Sequence, residues 1–171
     1  MAPENAGRPT TDRDWWFEDF AEGQSWRTEG ATFTEASILD FAFRYDPQPF
    51  HLDLEASKAG PYGGLIASGF QTLSTFFRLW HAERIANPSS AGSPGMEELR
   101  WPAPVRPGDT IRGLITVESV RASKSRPRFG LVGWRYEGFN QKDALIFSAR
   151  SFVLHHRRPL AEDAAPEIQE T

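Results

Sequence analysis

The fold of this chain is decided by the stretch Gly69-Phe70-Gln71-Thr72-Leu73-Ser74-Thr75-Phe76-Phe77-Arg78-Leu79-Trp80. Its large apolar side chains occupy more than half of the circumference of a helix, so we predict one mostly buried helix over residues 69–86. A helix that is apolar on most sides needs a sheet that covers it, and the rest of the chain must supply the strands.

Strand patterns surround this helix on both sides. The expected strands cover residues 25–33, 96–105, 110–120, 128–139 and 144–156. Pro102 and Pro104 restrict the second of these to an edge or a bulged position. Strands of this length can curl round a helix only if they twist, so we predict an α+β domain in which a curved antiparallel sheet wraps a long central helix.

Composition narrows the function classes. The chain has 171 residues, 39% of them hydrophobic, which suits one domain with a sizeable core. A net charge of −4, with no run of Lys or Arg longer than two, argues against nucleic acid as a partner. No apolar stretch approaches the length of a membrane span, and the chain has no cysteine, so we expect no membrane segment and a cytoplasmic location.

We expect a single domain over residues 15–157. Residues 1–14 and 158–171 are rich in Pro, Ala, Glu and Thr, so both are predicted to be flexible tails. Residues 1–14 also lack the apolar core of a signal peptide. The aromatic residues within 15–20 are expected to pack on the domain.

A second stretch, Tyr45-Asp46-Pro47-Gln48-Pro49-Phe50-His51, holds a carboxylate and an imidazole. Each proline fixes its own φ and disfavours helix in the residue before it, so we predict a stiff, non-helical loop. The later stretch Gly63-Gly64-Leu65-Ile66-Ala67-Ser68-Gly69 is expected to enter the long helix at one of its last two residues. A helix start offers unpaired N–H groups and the positive end of the dipole. Together the two stretches supply an acid/base pair and a site that stabilises an anion.

These stretches resemble the active-site motifs of the MaoC-like, (R)-specific enoyl-CoA hydratases, which have the hot-dog fold. The family's first motif runs Asp, any residue, Asn, Pro, an aliphatic residue, His, five residues and a small one. The residues that fit it are Asp46, Pro47, Pro49, His51 and Ser57. Two residues depart from it, because Gln48 replaces Asn and Phe50 replaces the aliphatic residue.

The family's second motif is a His-Gly pair whose glycine follows the catalytic His by eighteen residues. Here that glycine is Gly69, and Ser68 stands in the place of the His. The resemblance covers roughly residues 15–157. The sequence shows no internal repeat, so we expect one hot-dog unit rather than a double one. The resemblance implies a homodimer or higher homo-oligomer.

The resemblance also implies a reaction of fatty acid metabolism: reversible addition of water to a 2-enoyl-CoA, giving a (3R)-3-hydroxyacyl-CoA. Asp46 and His51 are the expected catalytic pair, and which is base and which is acid stays open. The backbone N–H of Gly69 is expected to stabilise the thioester oxygen. Substrate-binding or supporting roles are expected for Gln48, Phe50, Gly64 and Ser68. We expect no metal, because no pair of His residues has convincing metal-ligand spacing. We expect no cofactor, since the coenzyme A thioester is itself the substrate.

Each of these residues also has a simpler interpretation. An Asp and a His near prolines often occur by chance, so Asp46 can be a turn cap and His51 a hydrogen-bonded loop histidine. Ser68 can be an N-cap without any other role. Lys124 and residues 126–128 either meet the phosphates of coenzyme A or form a solvated turn. Two other functions fit the same fold: an acyl-CoA thioesterase, and a non-catalytic acyl-CoA-binding subunit.

Overall fold

A computed structural model describes residues 14–86 and 89–159 of the chain. The helices in these ranges are α1 (Glu35–Tyr45), α2 (Pro49–Leu52), α3 (Leu54–Ala59) and α4 (Gly69–Ala82). The strands are β1 (Ser25–Arg27), β2 (Ala31–Thr32), β3 (Met96–Arg100), β4 (Thr110–Ala122), β5 (Phe129–Phe139) and β6 (Leu145–His156). The predicted tails lie outside the described residues, apart from residues 14, 158 and 159.

The strands form one antiparallel sheet in the order β1-β4-β5-β6-β3, and β2 pairs separately with β4. The inner face of α4 packs into this sheet through aromatic contacts. The rings of Trp80 and Trp134 lie 5.3 Å apart, and those of Phe76 and Phe147 lie 4.9 Å apart. A long helix wrapped by a curved antiparallel sheet is the hot-dog fold, so the predicted fold class is confirmed.

The predicted strand over residues 25–33 is wrong in one respect, because it is two short strands. The break falls at Thr28, whose Oγ1 accepts a hydrogen bond from the N–H of Gly113 over 2.8 Å. A side chain thus takes a hydrogen bond that the backbone ladder would otherwise make. The chain then restarts as β2 against the beginning of β4.

The predicted helix over residues 69–86 is too long, since α4 ends at Ala82. Arg84 has a φ of 56°, in the left-handed region that ends helices. The predicted strand over residues 96–105 is also too long. β3 ends at Arg100, just before the segment that contains Pro102 and Pro104, because proline cannot donate to a ladder.

The prediction of a fully non-helical loop around His51 is wrong as well. Pro49–Leu52 forms the single helical turn α2, and Pro49 is at its start. Proline is well tolerated at the first position of a helix, because the N–H that it lacks would have had no partner there. Within residues 45–51, only residues 46–48 lie outside the helices.

The aromatic residues before β1 pack on the domain, as predicted. Trp15, Phe17 and Phe20 are buried, and the ring of Phe20 lies 5.3 Å from that of Trp134. Gly130 on β5 has no side chain, and the ring of Phe17 occupies the space that a Cβ would need. This contact ties the N-terminal segment to the sheet. Within the described ranges, none of the helices has the length and apolarity that crossing a membrane would require.

Candidate active site

Asp46 and His51 meet because a tight turn joins α1 to α2. The N–H of Asp46 still bonds to the carbonyl of Ala42 over 3.0 Å, so Asp46 ends α1. The N–H of Gln48 then bonds to the carbonyl of Asp46, and the N–H of His51 to the carbonyl of Gln48. As a result Nε2 of His51 lies 3.4 Å from Oδ2 of Asp46.

His51 is buried, and its ring orientation is fixed from the far side. Its Nδ1 lies 2.7 Å from the carbonyl oxygen of Ile66. A carbonyl oxygen can only accept, so Nδ1 must carry the hydrogen of that bond. In the neutral ring Nε2 is therefore the atom with the free lone pair, and it is this atom that faces Asp46.

Both oxygens of the Asp46 carboxylate accept hydrogen bonds from side chains. Oδ1 accepts from Nε2 of Gln48 over 2.7 Å, and Oδ2 accepts from Oγ of Ser68 over 2.7 Å. Burial by itself would raise the pKa of Asp46, but these two hydrogen bonds and the neighbouring His51 outweigh it and hold the pKa below its ordinary value. Asp46 is therefore an anion near neutral pH.

Ser68 makes two contacts at the start of α4, and it has no exposed surface. Its Oγ accepts the N–H of Phe70 over 3.1 Å, which confirms the N-cap interpretation. The same hydroxyl donates to Asp46. The cap of the central helix and the carboxylate of the site are thus one hydrogen-bonded unit, a link that no sequence motif indicates.

Gly69 is the first residue of α4, so its N–H has no partner inside the helix. The indole ring of Trp101 covers its Cα, because a Cβ built on Gly69 would lie 2.7 Å from a ring atom. This close approach explains why glycine is needed at the position. Trp101 thus stands over the expected anion site.

A pocket of about 430 Å³ contains these groups. The predicted residues that line it are Asp46, Gln48, Phe50, His51 and Gly69. The lining residues that sequence reasoning did not assign to the site are Tyr62, Ile66, Ala67, Phe70, Thr72, Trp101, Pro102, Ala103, Pro104 and Val105. Residues 101–105 come from the segment after β3, and no local pattern in the sequence indicates that this segment returns to α4.

Two of the expected supporting residues lie just outside the lining. Ser68 is behind the pocket wall, where it holds Asp46. Gly64 has a φ of 149° and faces a guanidinium nitrogen of Arg106, which lies 3.5 Å from the position of a Cβ. Arg106 in turn donates to the carbonyl of Tyr62. Gly64 thus shapes the loop that carries Tyr62 to the pocket.

A family model described as "MaoC like domain" matches residues 19–133. The chain belongs to the MaoC-like family. It is 30% identical, over 140 residues, to the uncharacterized protein YdeM of Bacillus subtilis (strain 168), and the match covers 82% of this chain and 98% of YdeM. The crystal structure of a MaoC-like dehydratase from Rhodospirillum rubrum shares 37% identity, with a TM-score of 0.78 over 85% of this chain and 99% of that one.

A relative with a named reaction is 3-hydroxyacyl-thioester dehydratase Z of Mycobacterium tuberculosis (strain ATCC 25618 / H37Rv). It is 33% identical over 96 residues, which are 55% of this chain and 64% of that protein. The named relatives of this MaoC-like chain therefore include a dehydratase. The matched family segment contains the Asp46–His51 pair and the start of α4.

The site of this MaoC-like domain offers three chemical groups. They are an ionised carboxylate, an imidazole whose Nε2 can accept a proton, and an unpaired amide N–H at a helix start. In the part of the chain that the structure describes, no group of three or more His, Asp or Glu side chains could hold a metal ion. The three groups together can move a proton and stabilise an adjacent negative charge.

Proposed function

We propose that this MaoC-like protein catalyses the reversible addition of water to a 2-enoyl-CoA, giving a (3R)-3-hydroxyacyl-CoA. The observation that carries the proposal is the meeting of Asp46 and His51, 3.4 Å apart, in one pocket with the first amide of α4. Family membership and the dehydratase relatives support a hydratase or dehydratase over other reactions. The thioester substrate comes from that resemblance.

In the proposed reaction, water adds to C3 of the enoyl group. Nε2 of His51 takes one proton from the water. The carboxylate of Asp46 accepts a hydrogen bond from the other O–H of the water and orients its oxygen. As the C–O bond forms, the electron pair of the double bond moves to the thioester oxygen, and the N–H of Gly69 stabilises this enolate. His51 then returns its proton to C2. Atoms balance, because the substrate gains one water and the enzyme regains its starting state.

Ser68 and Gln48 act as positioning residues in this scheme. By donating to both oxygens of Asp46 they fix the carboxylate and keep it ionised. His51 is fixed by the carbonyl of Ile66. Groups that are held in place before the substrate arrives lose little free energy on reaching the reactive geometry.

The proposal is tested with a set of purified 2-enoyl-CoA thioesters of increasing chain length. Hydration is followed for the wild type, Asp46→Asn and His51→Ala, and free coenzyme A is followed in parallel with a thiol reagent. Hydration by the wild type alone supports the proposal. Release of thiol would favour a thioesterase, and tight binding of the thioesters without either reaction would favour a binding subunit.

We also propose that the protein acts as a homodimer or a higher homo-oligomer. In the described part of the chain β3 is an edge strand that pairs with β6 on one side, and an open edge favours pairing with a second strand. Light scattering on the purified protein tests this, since a monomer at micromolar concentration would contradict it. The cytoplasmic location stays a prediction.

A further inference from the structure

A second cleft, of about 640 Å³, lies far from the catalytic pocket. It is bounded by the turn that joins β4 to β5 and by residues 91–94. Its floor is apolar, formed by Leu131 and Leu154, which are register partners on β5 and β6. We refer to this site as the basic cleft.

The side chains at its rim are cationic. Arg121, Lys124 and Arg126 line the cleft, and all three are exposed. Across the ranges 14–86 and 89–159, none of them forms an ion pair, and no acidic side chain lines the cleft. Three unneutralised cations in a protein of net charge −4 create a local field that attracts anions.

Hydroxyl groups complete the rim. Oγ of Ser123 accepts the N–H of Arg126 over 3.1 Å, which leaves its O–H hydrogen able to donate to a ligand. Ser93 differs, because its hydroxyl already donates to the carbonyl of Gly95. The cleft therefore combines two guanidinium groups, one ammonium group and a donating hydroxyl above an apolar floor.

We propose that the basic cleft binds a phosphorylated nucleotide. Guanidinium groups match phosphate oxygens in a bidentate way, and the ammonium group of Lys124 adds a point charge. The base of the nucleotide packs on Leu131 and Leu154. A simple inorganic anion would use the rim but leave this apolar floor uncovered.

The position of the cleft limits the possible sources of the nucleotide to two. The catalytic pocket includes Val105, which precedes β4 along the chain, and the basic cleft includes Arg121 near the other end of β4. The 13 residues of β4 span roughly 40 Å when fully extended, and the two sites lie beyond or near opposite ends of this strand. The ligand is either a separate nucleotide or the nucleotide end of a coenzyme A thioester held by the catalytic pocket of a second copy. The latter case rests on the proposed function.

Binding is tested by calorimetry with adenosine 3′,5′-bisphosphate at low salt. The test variant is Lys124→Ser/Arg126→Ser, and the matched control is Arg78→Ser/Lys142→Ser, which removes the same charge from exposed positions elsewhere. We expect the test variant to bind at least about ten-fold more weakly than the wild type, and the control to bind like the wild type. No binding by the wild type, or equal binding by all three proteins, would overturn the proposal.

A kinetic comparison separates the two sources of the nucleotide. The KM of the test variant is measured for an enoyl-CoA and for the same enoyl group on N-acetylcysteamine, which lacks the nucleotide. A raised KM for the coenzyme A thioester alone assigns the cleft to the substrate of another subunit. Unchanged KM values, together with weakened calorimetric binding, assign it to a separate nucleotide. If the wild type hydrates neither substrate, the proposed function fails, while calorimetry still decides on the cleft.

Discussion

The hydroxyl of Ser68 donates to Oδ2 of Asp46 over 2.7 Å, across 22 residues of sequence. Oγ of Ser68 also accepts a hydrogen bond from the N–H of Phe70 and so caps the central helix. One hydroxyl therefore links the position of the carboxylate to the first turn of α4. This link fixes the position of the Asp46 carboxylate relative to the amide N–H of Gly69.

Replacing Ser68 by Ala should cost both stability and activity. The variant loses an N-cap, typically worth about 1 kcal/mol, and a hydrogen bond to a charged group. Urea unfolding measures the first loss, and kcat for hydration measures the second. The control is Ser74→Ala, because Ser74 is also on α4 but its hydroxyl donates only to the carbonyl of Phe70. Equal behaviour of the two variants would show that Ser68 has no special role.

The same substitution should change the pH dependence of stability. The pKa of Asp46 is lowered in the folded protein, so its ionisation stabilises the fold above the ordinary Asp pKa of about 4, and this stability is lost as the pH falls. In Ser68→Ala the pKa is less lowered. The difference in unfolding free energy between the two proteins should therefore be largest near neutral pH and shrink in acid. A constant difference across this range would contradict the cause that we assign to the lowered pKa.

Gly69→Ala tests the contact with Trp101. Alanine favours a helix, but its Cβ would lie 2.7 Å from the indole ring, and overpacking of this kind costs about 1–3 kcal/mol. We expect destabilisation in the wild-type background and a neutral or stabilising effect in Trp101→Ala. A double-mutant cycle from urea unfolding gives the coupling free energy. Additive effects would show that the ring does not restrict this position.

His155 predicts a second pH effect, away from the catalytic pocket. It has no exposed surface, and burial together with the nearby His156 lowers its pKa to about 4. Its Nδ1 lies 2.8 Å from Oγ of Ser89. Between about pH 6.5 and pH 4, His155 binds a proton in the unfolded chain but stays neutral in the folded protein. Stability should therefore fall as the pH falls, by up to about 1.4 kcal/mol for each pH unit.

The double variant His155→Leu/Ser89→Ala removes the titrating ring and its hydroxyl partner together. Its stability should vary less between pH 6.5 and pH 4 than that of the wild type, whatever its stability at neutral pH. His81→Gln is the control, because His81 is exposed on α4. An unchanged pH slope in the double variant would contradict the role given to His155.

Sequence patterns predicted the parts of the fold that repeat. The period of α4 and the alternation in β4, β5 and β6 follow from burial of one face. The three strands were therefore predicted almost to their ends, while the helix was predicted beyond the end of α4 at Ala82. The errors fall where one local contact overrides the pattern. Thr28 breaks the first strand with its side chain, and Pro49 starts a helix where its neighbours suggested a loop.

Only the part of the candidate site whose residues are close together in sequence was predicted. Asp46 and His51 are close in sequence, so their meeting could be expected from a tight turn. The ring of Trp101 over Gly69 and the bond from Ser68 to Asp46 join segments that are distant in sequence. Such contacts depend on how β3 and α4 pack, and no periodic pattern records that packing.

The catalytic role of Asp46 is tested most directly by kcat for hydration of crotonyl-CoA by the wild type and Asp46→Asn. The matched control is Asp53→Asn, because Asp53 caps α3 outside the pocket and asparagine caps equally well. We predict a loss of about 10²-fold or more in Asp46→Asn and little change in the control. Equal kcat values for Asp46→Asn and the wild type would contradict the claim that this carboxylate takes part in proton transfer.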